Sequence, residues 1–228
     1  MKLVCFDIDG TLVWTAGAGR RAIHQALLDV LGAAGPIETF RFDGRTDGEI
    51  VWRLAEAAGL EVDALMVERV LSRYTDRLAD ELARPTQRTT VYPGVHELLD
   101  DLEGRQECVL GLLTGNVVEG ARLKLRSGGL EFERFVVGAF GSDHVQRTEL
   151  PRVALERARE ILGLELSGPD LVIVGDTPAD MKCGQGVGAR AVGVATAAYR
   201  VDQLLAAGAH VAFPDFRDTA AVVGALLS

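Results

Sequence analysis

The sequence predicts a doubly wound α/β fold, a Rossmann-like parallel sheet core with a small α-helical cap inserted after the first strand. Three observations carry this. Short apolar runs alternate with amphipathic stretches along most of the chain. One long tract near the N-terminus has helical patterning and no strand. Acids stand at the ends of two apolar runs, the edge where open α/β sheets bind ligands.

The strands are "KLVCFDI" (2–8), "CVLGLLT" (108–114), "FVVGA" (135–139), "DLVIVGD" (170–176), "ARAVGVA" (189–195) and "HVAF" (210–213). They are nearly continuous in apolar character, the mark of parallel strands covered on both faces. Amphipathic stretches at 94–104, 117–128, 150–163, 178–187, 201–207 and 216–227 supply the covering helices. Residues 15–86 break the alternation with helical patterns at 18–32, 46–59 and 61–83, and "LGAAGP" (31–36) stops the first of them. A single crossover helix is all that an uninterrupted unit needs here. The tract therefore reads as an insert, with residues 1–14 and 87–228 forming a discontinuous core. The polar, proline-containing "RPTQRTTVYPG" (84–94) is the return linker.

Composition narrows the function. Of 228 residues, 48% are hydrophobic and 25% charged, an ordinary globular balance, and the net charge is −9. No basic footprint for nucleic acid is present, so any positive charge used on an anion must be gathered locally. No apolar run is long enough to span a bilayer, so no membrane partner is expected. Cys5, Cys108 and Cys183 are scattered and odd in number, as free thiols of a reducing compartment are. The N-terminus enters a strand directly, without a signal-peptide pattern, and the expected location is cytoplasmic.

"VCFDIDGTLV" (4–13) sets Asp7 and Asp9 one residue apart where a buried strand should end. Alternation points both carboxylates the same way, and burial of two like charges needs compensation. Gly10 lets backbone approach a ligand, and Thr11 adds a hydroxyl. "LVIVGDTPAD" (171–180) repeats the pattern: Asp176 ends a strand, and Asp180 lies in the first turn of the next helix behind Pro178. Acids converging in this way suggest a hard divalent cation such as Mg²⁺, which takes carboxylate and phosphate oxygens. Between them, "VLGLLTGN" (109–116) ends a strand in Thr114, Gly115 and Asn116, a hydroxyl and backbone N–H groups suited to phosphate oxygens.

Asp7-Ile8-Asp9-Gly10-Thr11, then Thr114, then Gly175-Asp176 with Asp180, resembles the first, second and fourth motifs of the haloacid dehalogenase superfamily. The insert resembles its small-cap subclass, and "YPGVHELLDDL" (92–102) the phosphoglycolate-phosphatase-like branch. The resemblance spans essentially the whole chain. It implies phosphoryl transfer through an aspartyl-phosphate on Asp7, with Asp9 as general acid and base. The implied metal ligands are Asp7, the Asp9 backbone carbonyl and Asp176, with Asp180 bound or just outside. Thr114 and the Gly115 N–H would hold the transferring oxygens. Dehalogenating members lack the second aspartate, so Asp9 favours phosphate esters of small metabolites.

The third motif departs from the family, which offers a lysine there. "GSDHVQRTELPRVALERAR" (141–159) contains none, and Arg147 is the first candidate, Arg152 the second, with Lys182 or Lys124 as other sources of charge. In "FDGRTDGEI" (42–50), where this subclass places its specificity loop, Arg45 could bind a second anionic group or stay a solvated charge. Thr46 or Asp47 reads as a helix N-cap. Trp14 could shield the site or simply pack.

Rival readings stay open on the sequence. "GAGRRA" (17–22) matches a dinucleotide-binding pattern, although it comes well after the first strand. A non-catalytic binding protein draws support from the odd third motif, and a phosphosugar mutase shares every motif named. The oligomeric state is unreadable.

Overall fold

A computed structural model describes residues 1–228. In chain order it contains β1 (Lys2–Phe6), β2 (Val13–Trp14), α1 (Ala18–Leu31), α2 (Asp47–Ala57), α3 (Ala64–Leu82), β3 (Thr90–Val91), α4 (Val95–Glu103), β4 (Cys108–Thr114) and α5 (Val118–Ser127). There follow β5 (Val137–Phe140), α6 (Leu150–Leu162), β6 (Leu171–Gly175), α7 (Pro178–Cys183), β7 (Arg190–Val194), α8 (Val201–Ala206), β8 (Val211–Phe213) and α9 (Thr219–Leu227).

Six strands form one parallel sheet in the order β5-β4-β1-β6-β7-β8. The chain leaves β1 toward β4 and β5, then returns to build β6, β7 and β8 on the other side. That reversal makes β1 the centre of a topological switch point, where the crevice at the carboxyl edge opens.

Alternation along the strands divides the core in two. Val4 and Phe6 join Leu112, Val172 and Val174 on one face, under α4, α5 and α9. Leu3 and Cys5 join Leu113, Leu171 and Ile173 on the other, under α6 and α7. Both faces of β1 are thus fully buried, which explains its unbroken apolar run.

Helices α1, α2 and α3 pack on a third apolar cluster, built from Ile23, Leu27, Leu54, Val70 and Leu78 among others. Val117, at the entrance to α5, also packs in this cluster and ties it to the sheet edge. The chain enters and leaves the helical tract side by side: β2 pairs antiparallel with β3, and the Tyr92 N–H donates to the Leu12 carbonyl at 3.0 Å. The linker reading of 84–94 missed β3, since two residues beside a proline show no period. The helix expected over 178–187 stops at Cys183 and continues as a 3₁₀ turn, Gln185–Val187, in a stretch where Gly184, Gly186 and Gly188 interrupt the helical pattern. No helix is long and apolar enough to cross a membrane.

Candidate active site

The ends of β4, β1 and β6 lie side by side, so Thr114, Asp7 and Asp176 meet at one edge. The Asp7 N–H donates to the Val174 carbonyl at 2.9 Å, which extends the ladder one residue past β1. The chain then turns at Gly10, whose φ of 83° lies in the left-handed region. A Cβ there would also collide with the Asp176 carboxylate, so the turn and the acid both favour glycine. Thr11 Oγ1 donates to Asp176 Oδ1 at 3.1 Å.

Asp7, Asp176 and Asp180 bring carboxylate oxygens within 4.8 Å of one another, and all three are buried. Asp180 belongs to a capping box at the start of α7, where it accepts the Thr177 N–H at 3.0 Å and the Thr177 hydroxyl at 2.7 Å. Arg147 lies against the cluster: one guanidinium nitrogen is 3.1 Å from Asp7 Oδ2 and is also paired with Asp180. Three carboxylates against one guanidinium leave two formal negative charges. Burial accordingly lifts the Asp7 carboxyl to about 6, although Arg147 pulls it down, and lifts Asp176 well above its ordinary range, with Asp180 and Asp7 adding to the rise. Hard oxygen donors with two uncompensated charges fit a divalent cation of the Mg²⁺ kind.

Asp9 has a separate environment. Its carboxylate is not in the triad; Oδ2 accepts Lys124 Nζ at 2.6 Å and Asn116 Nδ2 at 2.8 Å. Lys124 Nζ also donates to Asn116 Oδ1 at 2.6 Å, and Asn116 Nδ2 to Thr114 Oγ1 at 2.8 Å. The Lys124 ammonium is buried on α5. Burial alone would pull its pKa down, but Asp9, Tyr74 and Asp47 outweigh that and hold it up.

One cavity of about 240 Å³ touches both groups, with Asp7, Asp9, Asn116, Lys124, Arg147 and Asp176 in its wall. Thr114 and Gly115 line it at the end of β4, Trp14 from β2, and Arg45 and Tyr74 from the helical tract. Trp14 is half exposed at the rim. Arg45 reaches the cavity, but its guanidinium is paired with Glu49 and stacks over Phe40 at 5.5 Å.

Among the third-motif candidates, Arg147 is the one the fold brings to Asp7. Arg152 is exposed and paired with Glu149 and Glu156, and Lys182 is exposed. The absence of a lysine there therefore leaves no missing charge. The glycines of "GAGRRA" have structural work in the helical tract: Gly17 opens α1 at φ 78°, and a Cβ on Gly19 would come within 3.3 Å of Lys124 Nζ. Lys124 beside Asp9 was not legible as such in the sequence, which offered it only as a substitute third-motif charge. Thr46 does cap α2, accepting the Glu49 N–H at 3.1 Å. Asp47 does not; its carboxylate bonds to Val117, 70 residues away.

With that geometry in view, similarity to known proteins is informative. A model of the haloacid dehalogenase-like hydrolase family matches residues 4–194. A probable phosphatase, IndB of Dickeya dadantii, is 30% identical over 228 residues, covering 99% of this chain and 94% of that protein. A phosphoglycolate phosphatase of Rhodospirillum rubrum is 28% identical over 220 residues, covering 94% and 88%. The crystal structure of a hydrolase from Pseudomonas syringae shares the fold at a TM-score of 0.75, with 21% identity over 100% of this chain and 99% of that one. The chain belongs to the haloacid dehalogenase-like hydrolases.

Proposed function

We propose that the protein hydrolyses a small phosphomonoester with the help of Mg²⁺, through a phosphoryl group carried on Asp7. The carrying observation is the meeting of Asp7, Asp176, Arg147, Asp9 and the Thr114–Asn116 turn around one cavity, with Asp180 buried behind Asp7 and Asp176 in the same carboxylate cluster. Bound to Asp7, Asp176, the Asp9 carbonyl and, directly or at one remove, Asp180, the cation would screen the phosphate from the nucleophile. Residues 15–86 are read as the cap over this cavity, and residues 1–14 with 87–228 as the core.

The rest is done by the chain. An Asp7 carboxylate oxygen attacks phosphorus as the bond to the leaving oxygen breaks. Asp9 gives that oxygen its proton. Asp9 then takes a proton from water, which attacks phosphorus and frees Asp7 and inorganic phosphate. Thr114 Oγ1 and the Gly115 N–H hold the equatorial oxygens, with Thr11 steadying Asp176. Arg147, paired with Asp7 and Asp180 through one guanidinium nitrogen, offsets negative charge beside the nucleophile. Arg45, already paired, is a weaker candidate for a second anionic group. The three free cysteines agree with a reducing compartment, and we place the activity in the cytoplasm.

The test is phosphate release from p-nitrophenyl phosphate and a panel of phosphorylated metabolites, with Mg²⁺ and with a chelator. Asp7→Asn is expected to lose at least about 10³-fold in turnover. Asp9→Asn is expected to keep metal binding and lose turnover. Near-parental turnover in Asp7→Asn would reject the covalent route.

A further inference from the structure

The first turn of α2 meets the turn between β4 and α5. Asp47, the first residue of α2, is buried there. Its carboxylate accepts the Val117 N–H at 2.9 Å, and its own N–H donates to the Gly115 carbonyl at 2.8 Å. Val117 is the N-cap of α5 and has no side chain that can cap the helix it opens. Helix starts leave N–H groups that need an acceptor, and here the acceptor comes from the helical tract. The approach leaves no spare room: a Cβ on Gly115 would strike the Arg45 carbonyl, and one on Gly141 would strike the Gly115 carbonyl. Thr46 fastens the start of α2 to the neighbouring loop between β5 and α6 by donating to the Val145 carbonyl at 2.7 Å.

We propose that Asp47 is a positioning residue for phosphoryl transfer: by bonding to Gly115 and Val117 it fixes the Thr114–Asn116 turn in the geometry that grips phosphate. This rests on the phosphatase reading above. The constraint passes onward, because Asn116 Nδ2 bonds both Thr114 Oγ1 and Asp9 Oδ2 at 2.8 Å. One pair of bonds from the helical tract thus sets the phosphate-holding hydroxyl and the proton-transferring acid together. Burial lifts the Asp47 carboxyl to about 6 despite the opposing pull of Lys124 and of the Val117 N–H, with Asp9 and Asp7 adding to the rise. The hydrogen bond itself needs only an acceptor oxygen, which a carboxamide also offers.

Asp47→Ala and Asp47→Asn in the full chain test this by two readings: hydrogen exchange at the Val117 amide, and p-nitrophenyl phosphate turnover with Mg²⁺. In Asp47→Ala the amide should exchange about tenfold faster and kcat/KM should fall about tenfold, the scale of a lost helix cap. Asp47→Asn keeps an acceptor oxygen and should stay within about threefold of the parent on both readings. Parental behaviour of Asp47→Ala overturns the proposal, and so does an Asn variant as impaired as the alanine. If circular dichroism shows Asp47→Ala unfolded, the Asn variant decides alone: rescue on both readings supports the role, loss on either overturns it. A parent that releases no phosphate overturns the phosphatase reading itself. An active parent with an unaltered alanine variant overturns only this one.

Discussion

Two buried cations flank the cavity, and each holds one aspartate of the Asp7-Ile8-Asp9 segment. Arg147 spans Asp7 and Asp180, while Lys124 holds Asp9 with Asn116. The side chains they serve differ in access: Asp7 is 8% exposed, Asp9 40%. A planar guanidinium can bridge two carboxylates at once, whereas an ammonium is a point charge that suits one carboxylate and an amide. The strand period aims both acids at the same edge. Their neighbours then separate them into a mostly buried carboxylate among other acids and a more open one, both in the cavity wall. The split suits a nucleophile that shares a cation and an acid that must reach a leaving group and then water.

The hardest blow to this contrast is Arg147→Ala. It leaves three buried carboxylates with no cation, and removing one partner of such a cluster costs about 3–5 kcal/mol. Turnover should fall at least about 10²-fold, the scale of a lost electrostatic stabiliser, and the melting temperature should drop with it. Arg147→Lys keeps the charge without the fork and should lie between the two. Parental phosphate release from Arg147→Ala would dissolve the distinction between the two cations.

Lys124→Met should do less. A charge-assisted hydrogen bond is worth about 1.5–3 kcal/mol, so a loss of about 10- to 100-fold is expected. Asp9 keeps its bond to Asn116 and its access to water, which limits the damage. Rapid-quench kinetics should show both formation and breakdown of the phosphoenzyme slowed, since the proposed route uses Asp9 in both. A loss confined to one step, or one as deep as that of Arg147→Ala, would mean that the two sides are not separate.

Much of this was legible in the sequence, for identifiable reasons. "CVLGLLT" gives β4 its observed ends because an apolar run halted by Gly115 and Asn116 leaves little room for error. The periods of α1, α2 and α3 were legible because each buries one stripe against the other two. Asp7 and Asp176 stood out because an acid ending an apolar strand is costly without a partner, and Asp180 because it follows Asp176 by four residues in the first turn of the next helix. Lys124 and Asp47 were illegible in their roles. Helical period says that Lys124 turns inward, but Asp9 lies 115 residues earlier in the chain. Asp47 has the local pattern of an N-cap, and it does cap a helix, though the helix is α5 rather than its own. Pairings of that range depend on how the helical tract docks, which no local pattern encodes.

The smallest expected effect sharpens the contrast most cheaply. Arg152 is five residues from Arg147, and both lie between β5 and β6, the stretch where the family offers its lysine. Arg147 sits in the 3₁₀ turn Arg147–Glu149 and is buried, whereas Arg152 is on α6, exposed and held by Glu149 and Glu156. Surface ion pairs of this kind contribute about 0–1 kcal/mol. Arg152→Ala should therefore leave kcat/KM within about twofold of the parent and stability within about 0.5 kcal/mol. Set beside Arg147→Ala, the pair holds composition and charge change constant and varies only position. A tenfold loss in Arg152→Ala would show that the cation serving Asp7 reaches it from α6 during turnover, and that the buried Arg147 pairing is a resting arrangement.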